Sequence, residues 1–242
     1  MLHQWAWSET SLILDLFTRE HGRIAVVAKG AKRPYSQLQP VLMPFQRLLV
    51  LTTRPKSDEG ADILTLRSAE YAGGGATLPP ALLFLGFYLN ELLLKLLARD
   101  DPHPRLFDVY ASVVQVIACG HGEALQSALR AFELLLLREI GLLPLLDAQT
   151  MTLRALDPES RYSLVPEGGL RQTNDADRAS LSGSQWVALQ QSLNNSAPFT
   201  TTLRACSEVM AELKPQLRTL LNYHCGVTTL RTRQMMIDLQ TL

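Results

Sequence analysis

The chain has 242 residues, 47% of them apolar and 19% charged, a composition that suits a globular protein with its own core and excludes a disordered or fibrous one. Lysine plus arginine balance aspartate plus glutamate, 23 against 23, so overall charge argues for neither nucleic acid nor membrane as a partner. Any such case rests on local clustering.

Residues 2–7 read as a short, clipped opening strand before the polar turn 8–11. Leu12, Leu14 and Leu16 then alternate along 11–17, Gly22 breaks the run, and 24–28 resumes it, which predicts a β-hairpin. Further runs at 45–52 and 62–69 flank a loose turn containing Pro55 and Gly60. Several short strands ahead of any helix predict a small barrel or sandwich. Gly73, Gly74, Gly75, Pro79 and Pro80 punctuate the sequence, placing a boundary between a first domain, 1–76, and a second, 77–242.

Beyond that boundary Leu82, Leu85, Leu89, Leu92, Leu93 and Leu96 recur at helical spacing over 81–98, and helices follow at 106–119 and 123–140. Residues 143–183 change character, with scattered prolines and glycines and a short hairpin at 162–170, and read as an irregular excursion. Helices return at 184–193, 203–221 and 229–239. The predicted class is α+β, a barrel followed by a mainly α-helical domain. Apolar runs near 82–89 and 134–137 are broken by Asn90, Glu91, Arg130 and Arg138, too short for a span of about 20 residues. His3, Trp5 and Glu9 follow Met1 in place of a secretory leader, and Cys119, Cys206 and Cys225 form no C-x-x-C pair. A cytoplasmic protein with reduced thiols is expected.

Catalytic chemistry has no foothold in these residues. Gly73–Gly75 lack the lysine and hydroxyl of a phosphate loop, and the five histidines are dispersed without zinc spacing. Ser182, Gly183 and Ser184 do not form a nucleophile elbow. The carboxylate pairs Asp58-Glu59 and Asp100-Asp101 sit beside turn residues, as solvated loop charge does. The reading is a non-enzyme without cofactor or metal.

Charge does cluster at one place. From 19 to 56 the cations are Arg19, Arg23, Lys29, Lys32, Arg33, Arg47, Arg54 and Lys56, and the single acid is Glu20. At 28–36 a strand ends in Lys29-Gly30 and gives way to Lys32, Arg33, Pro34 and Tyr35. Cations release counterions from a phosphate backbone, Gly30 lets main-chain amides approach, and Tyr35 can stack on a base for about 1–3 kcal/mol. Two readings stay open, a DNA-binding loop and a solvated hairpin on a protein-binding scaffold. A barrel favours the first, because oligonucleotide-binding (OB-fold) barrels hold single strands on a strand face and its loops.

These residues resemble the RecO family of bacterial recombination mediators. The sharpest part is the run from Trp7, Ser8, Glu9, Thr10 and Ser11 to Asp15, Leu16, Phe17 and Thr18, with Gly22-Arg23 and Val27 through Ala31 following. Leu66 through Glu70, Tyr88 through Leu93, and Leu129-Arg130 with Phe132-Glu133-Leu134 are similar to family segments further along. The resemblance implies an N-terminal OB-fold barrel, a helical core domain, and a DNA repair and recombination function. It implies binding and annealing of single- and double-stranded DNA and help in loading a recombinase onto strands coated by single-stranded-DNA-binding protein. The implied protein partners are RecR and the C-terminal tail of that coating protein, and the implied location is the bacterial cytoplasm, at the nucleoid.

Two departures stand out. Many members carry a four-cysteine zinc module where this chain has 143–183, a stretch without cysteine, so zinc is not carried over. The resemblance also implies several more residues ahead of Leu2, so the first strand is expected to be incomplete as given. On the third helix Leu125, Leu129, Phe132, Leu136 and Ile140 form an apolar stripe edged by Arg130. Such a stripe is ordinarily core. With the resemblance in hand, the stripe is a candidate groove for an acidic tail, with Arg130 holding its carboxylate and Tyr88 and Leu92 as the opposite wall.

Overall fold

A computed structural model describes residues 1–54, 63–120 and 122–240. The chain divides into two compact units, residues 1–119 with 235–242, and residues 120–234.

The first unit begins with a five-stranded sheet, β1 (His3–Ala6), β2 (Leu12–Thr18), β3 (Gly22–Ala28), β4 (Leu48–Thr53) and β5 (Ile63–Tyr71), in spatial order β1-β2-β3-β5-β4. All pairings are antiparallel except β3 with β5. Alternation along the strands sends Leu14, Leu16, Ile24, Val26 and Leu66 to one side, and a register shift at Arg67 in the β4–β5 pair brings Ala69 to it as well; they pack with Ala31 and Leu42 from the β3–β4 connection. This is the barrel core. Phe45 adopts φ 65°, a left-handed turn that ends the connection, so β4 starts three residues later than the predicted run.

The outer side of β2 is covered at one end. A 3₁₀ turn (Pro80–Leu82) leads into α1 (Leu83–Leu96), and α2 (Pro104–Cys119) follows. Phe17 lies against Phe107 and Tyr110 of α2, with ring centroids 5.6 and 6.1 Å away. Asn90 donates to the carbonyl of Leu2 at 2.9 Å and accepts from the Tyr110 hydroxyl at 2.6 Å. Burial pushes the Tyr110 hydroxyl well above the usual tyrosine range, which keeps it a neutral donor. Gly22, at φ 66°, closes the β2–β3 turn so tightly that a Cβ would stand 1.9 Å from the carbonyl oxygen of Asp101.

The second unit is built on α3 (Gly122–Glu139), with α4 (Gly183–Leu193), α5 (Pro198–Glu208) and α6 (Met210–His224); α7 (Arg231–Gln240) ends the described chain. Leu125, Leu129, Phe132 and Leu136 are buried, and so are Ala128, Leu134 and Leu137, so α3 is enclosed well beyond a single stripe. The predicted helix 203–221 is two helices: Pro198 starts the first, and Val209, at φ −128°, breaks it before α6. Residues 143–183, expected to be irregular apart from a hairpin at 162–170, contain that hairpin as β6 (Arg161–Val165) and β7 (Gly169–Gln172) within a three-stranded sheet completed by β8 (Leu181–Ser182), ordered β7-β6-β8. Tyr162, Leu164, Leu170 and Leu181 are buried there, and Trp186 donates from its indole to the Tyr162 carbonyl at 3.1 Å. Ser182 then caps α4 with Gln185 in a capping box. No described helix is long and apolar enough to cross a membrane.

Candidate nucleic-acid interface

The eight cations between 19 and 56 do not behave alike. Arg19 forms a two-pronged pair with Asp108 at 3.0 and 3.1 Å, which raises its pKa further. Arg23, expected at the DNA surface, is turned inward. Its Nε and Nη2 donate to the fully buried carboxylate of Asp15 at 3.0–3.1 Å, while Nη1 donates to the carbonyls of Leu94 and Leu97 at 2.6 and 3.1 Å. A guanidinium so occupied caps the C-terminal end of α1 and has no face left for phosphate. Arg23 is corrected to a structural pin.

Lys29, Lys32, Arg33, Arg47 and Arg54 are exposed, and no carboxylate among the described residues pairs with them. Lys56 lies outside the described residues. The basic loop is built by successive turns: Ala31 N–H donates to Ala28, Arg33 N–H to Gly30, and Ser36 N–H to Arg33. Gly30 takes φ 73°, the left-handed geometry that glycine adopts without strain. The loop is fastened to the β1–β2 turn, where Lys32 donates its N–H to the Thr10 carbonyl and its ammonium to the Ser8 carbonyl, both at 2.9 Å. Tyr35, at 95% exposure, stands clear of it. Arg54 begins the β4–β5 connection.

Register shows what lies on the outer barrel face. Leu12, Leu14 and Leu16 face or pack on the core, so Ile13 and Asp15 face outward, with their partners Trp5 and His3 on β1 and Val27 and Ala25 on β3. Thr65 continues the row on β5, and Arg67, two residues on, donates to Thr53 at 3.0 Å. The Trp7 N–H extends the β1–β2 ladder to the Ser11 carbonyl at 3.1 Å, which puts Trp7 on the same side as Trp5. Both indoles are exposed, at 43% and 63%. The sequence reading missed Trp5, Trp7 and Arg67, whose signal was the alternation 3, 5, 7 and 65, 67.

In the second unit Arg130 is 6% exposed, not at an open edge, and its Nη2 meets Glu133, one helical turn on, at 2.6 Å. Its Nε–H finds no acceptor among the described residues. Lys214 of α6 is close enough for Arg130, Arg218 and Arg233 to add to burial in lowering its pKa, with Glu133 opposing. Leu92, expected as a groove wall, is fully buried on α1 and offers no side chain to a ligand; Tyr88 is half-buried. Among the described residues, no three His, Cys, Asp or Glu gather as a metal site would require.

Two family models match the chain, described as Recombination protein O N terminal over residues 1–72 and Recombination protein O C terminal over residues 80–234. Among curated relatives, the DNA repair protein RecO of Albidiferax ferrireducens is 74% identical over the whole chain and 94% of its own length. Those of Verminephrobacter eiseniae and Polaromonas sp. are 58% and 57% identical, again over the whole chain and 95% of their lengths.

Proposed function

The chain belongs to the RecO family of DNA repair proteins, with an OB-fold N-terminal domain, and on that premise we propose that it acts without catalysis as a recombination mediator that binds and anneals DNA. The observation that carries this reading is that Lys29, Lys32, Arg33, Arg47 and Arg54, all in or beside the connections between barrel strands, are exposed and have no carboxylate partner among the described residues. Tyr35 adds a ring, and Lys56 belongs to the same proposal. In OB folds the β1–β2 and β4–β5 loops flank the strand face that holds oligonucleotides, and the basic loop is fastened to the first of these. A surface that neutralises two phosphate backbones lowers their mutual repulsion and leaves the bases free to pair, so annealing requires no bond to be made or broken.

Residues 1–76 are then the DNA-binding part and residues 77–242 the part that docks proteins, RecR among them. We assign the acidic C-terminal tail of single-stranded-DNA-binding protein to Arg130, whose Nε–H has no acceptor among the described residues and whose charge, with those of Arg218 and Arg233, bears on Lys214. Docking there would bring the protein to coated strands in the bacterial cytoplasm, at the nucleoid, and so assist recombinase loading.

Mixing complementary labelled strands with the protein tests the first half. Annealing accelerates with the parent protein and not with the Lys29→Ala, Lys32→Ala, Arg33→Ala triple variant; equal acceleration by both refutes the loop's role. Anisotropy with a labelled tail peptide tests the second. Arg130→Ala weakens the peptide by about 1.5–3 kcal/mol, the range of a hydrogen bond to a charged group. Because that change also strands Glu133, Lys214→Ala serves as the second variant, and unchanged affinity in both removes the tail from this corner.

A further inference from the structure

The outer barrel face carries two large aromatic side chains in water, and neither contributes to the core. Trp5 on β1 and Trp7, one residue past its end, project from the same side, beyond the region covered by Arg23 and α2, and His3 meets Trp5 edge-on with ring centroids 4.5 Å apart. Register continues the row through half-buried Ile13 and Val27, and Lys29 lies just past the end of β3. The basic loop borders it, because the Lys32 ammonium sits 2.9 Å from the carbonyl of Ser8, the residue after Trp7.

We propose that Trp5 and Trp7 form a base-stacking platform that makes this face selective for single-stranded over duplex DNA. The inference rests on the DNA-binding reading above and adds the residues and the strand preference. Two residues along a strand advance about 6.6 Å, roughly twice the 3.4 Å step of successive nucleotides, so a base fits between the two indoles. Lys29, Lys32 and Arg33 border the row and supply the positive charge that a phosphate backbone requires. That charge complementarity argues for nucleic acid over an apolar protein segment. Stacking needs an unpaired base face, which a duplex hides and a single strand offers, whereas the cations serve both alike.

The protein carries its own probe. It has three tryptophans, and the third, Trp186, is fully buried with its indole N–H bonded, so DNA-dependent quenching reports on Trp5 and Trp7. A thymidine oligonucleotide should quench the emission, and a duplex of equal length, bound to the same extent, should quench it much less. Trp5→Ala with Trp7→Ala should weaken single-strand binding by about 5- to 150-fold, the worth of one stacked base or more. Duplex affinity and melting temperature stay unchanged, because both side chains are exposed. Trp5→Phe with Trp7→Phe should restore most of the loss. Single-strand binding, followed by anisotropy, that persists in the alanine variant and leaves parental emission unquenched overturns the stacking platform while the basic-loop reading stands. No single-strand binding by the parent at low salt overturns the reading on which it rests.

Discussion

Removing the charge of Asp15 tests whether Arg23 holds the barrel to α1 or serves the DNA surface. Asp15→Asn keeps the shape of the side chain and removes its charge, leaving the Arg23 guanidinium, only 16% exposed, without its carboxylate. Breaking a buried ion pair from one side costs about 3–5 kcal/mol. The lower end applies, because the two carbonyls of Leu94 and Leu97 still accept from Arg23 and because partly exposed Arg99, 4.0 Å from Asp15, is relieved of less. A loss of about 3 kcal/mol is expected in urea unfolding followed by far-UV circular dichroism. Adding Arg23→Met should recover part of it, since an apolar replacement of both partners is often close to neutral. Folded Arg23→Met protein should bind DNA as the parent does. A loss below about 1 kcal/mol, or a fall in DNA affinity matching that of Lys29→Ala, would refute the pin.

Burial raises the Cys206 thiol to about 12, helped by the charge of Glu133 and opposed by Arg130. A raised acid favours the protonated form in the folded state, so this contribution is complete below the ordinary value of 9.0 and is lost as pH rises towards 12. Cys206→Ala should flatten the alkaline part of a stability curve, and a thiol-reactive dye should label exposed Cys119 at once and Cys206 only on unfolding. Gly22→Ala should cost at least 1 kcal/mol, since the turn has a positive φ and no room beside Asp101; a melting curve unchanged from the parent would exclude that packing.

Much of the barrel was legible. The alternation of Leu12, Leu14 and Leu16, broken by Gly22, locates β2 and β3 because one face is core and a turn must follow. The parallel pairing of β3 with β5 was not legible, since it joins residues nearly forty apart and no local pattern encodes it. The same holds for the cations. Counted along the chain, Arg23 and Lys29 look equivalent; Asp15 distinguishes them, and nothing local says that Asp15 is buried. Arg130 was read at the edge of a stripe because helical spacing identifies one apolar face, whereas α3 is enclosed on more than one. Leu92 was misplaced for a related reason, as core leucines and groove leucines share one spacing.

Affinity for a labelled single strand, measured across a series of salt concentrations, reads out the phosphate contacts of the basic loop. If Lys29, Lys32 and Arg33 each hold a phosphate, replacing all three by alanine should reduce the slope of log affinity against log salt by about 2, at roughly 0.7 for each contact. An unchanged slope and unchanged affinity in the folded triple variant would rule out these phosphate contacts and with them DNA binding through the basic loop.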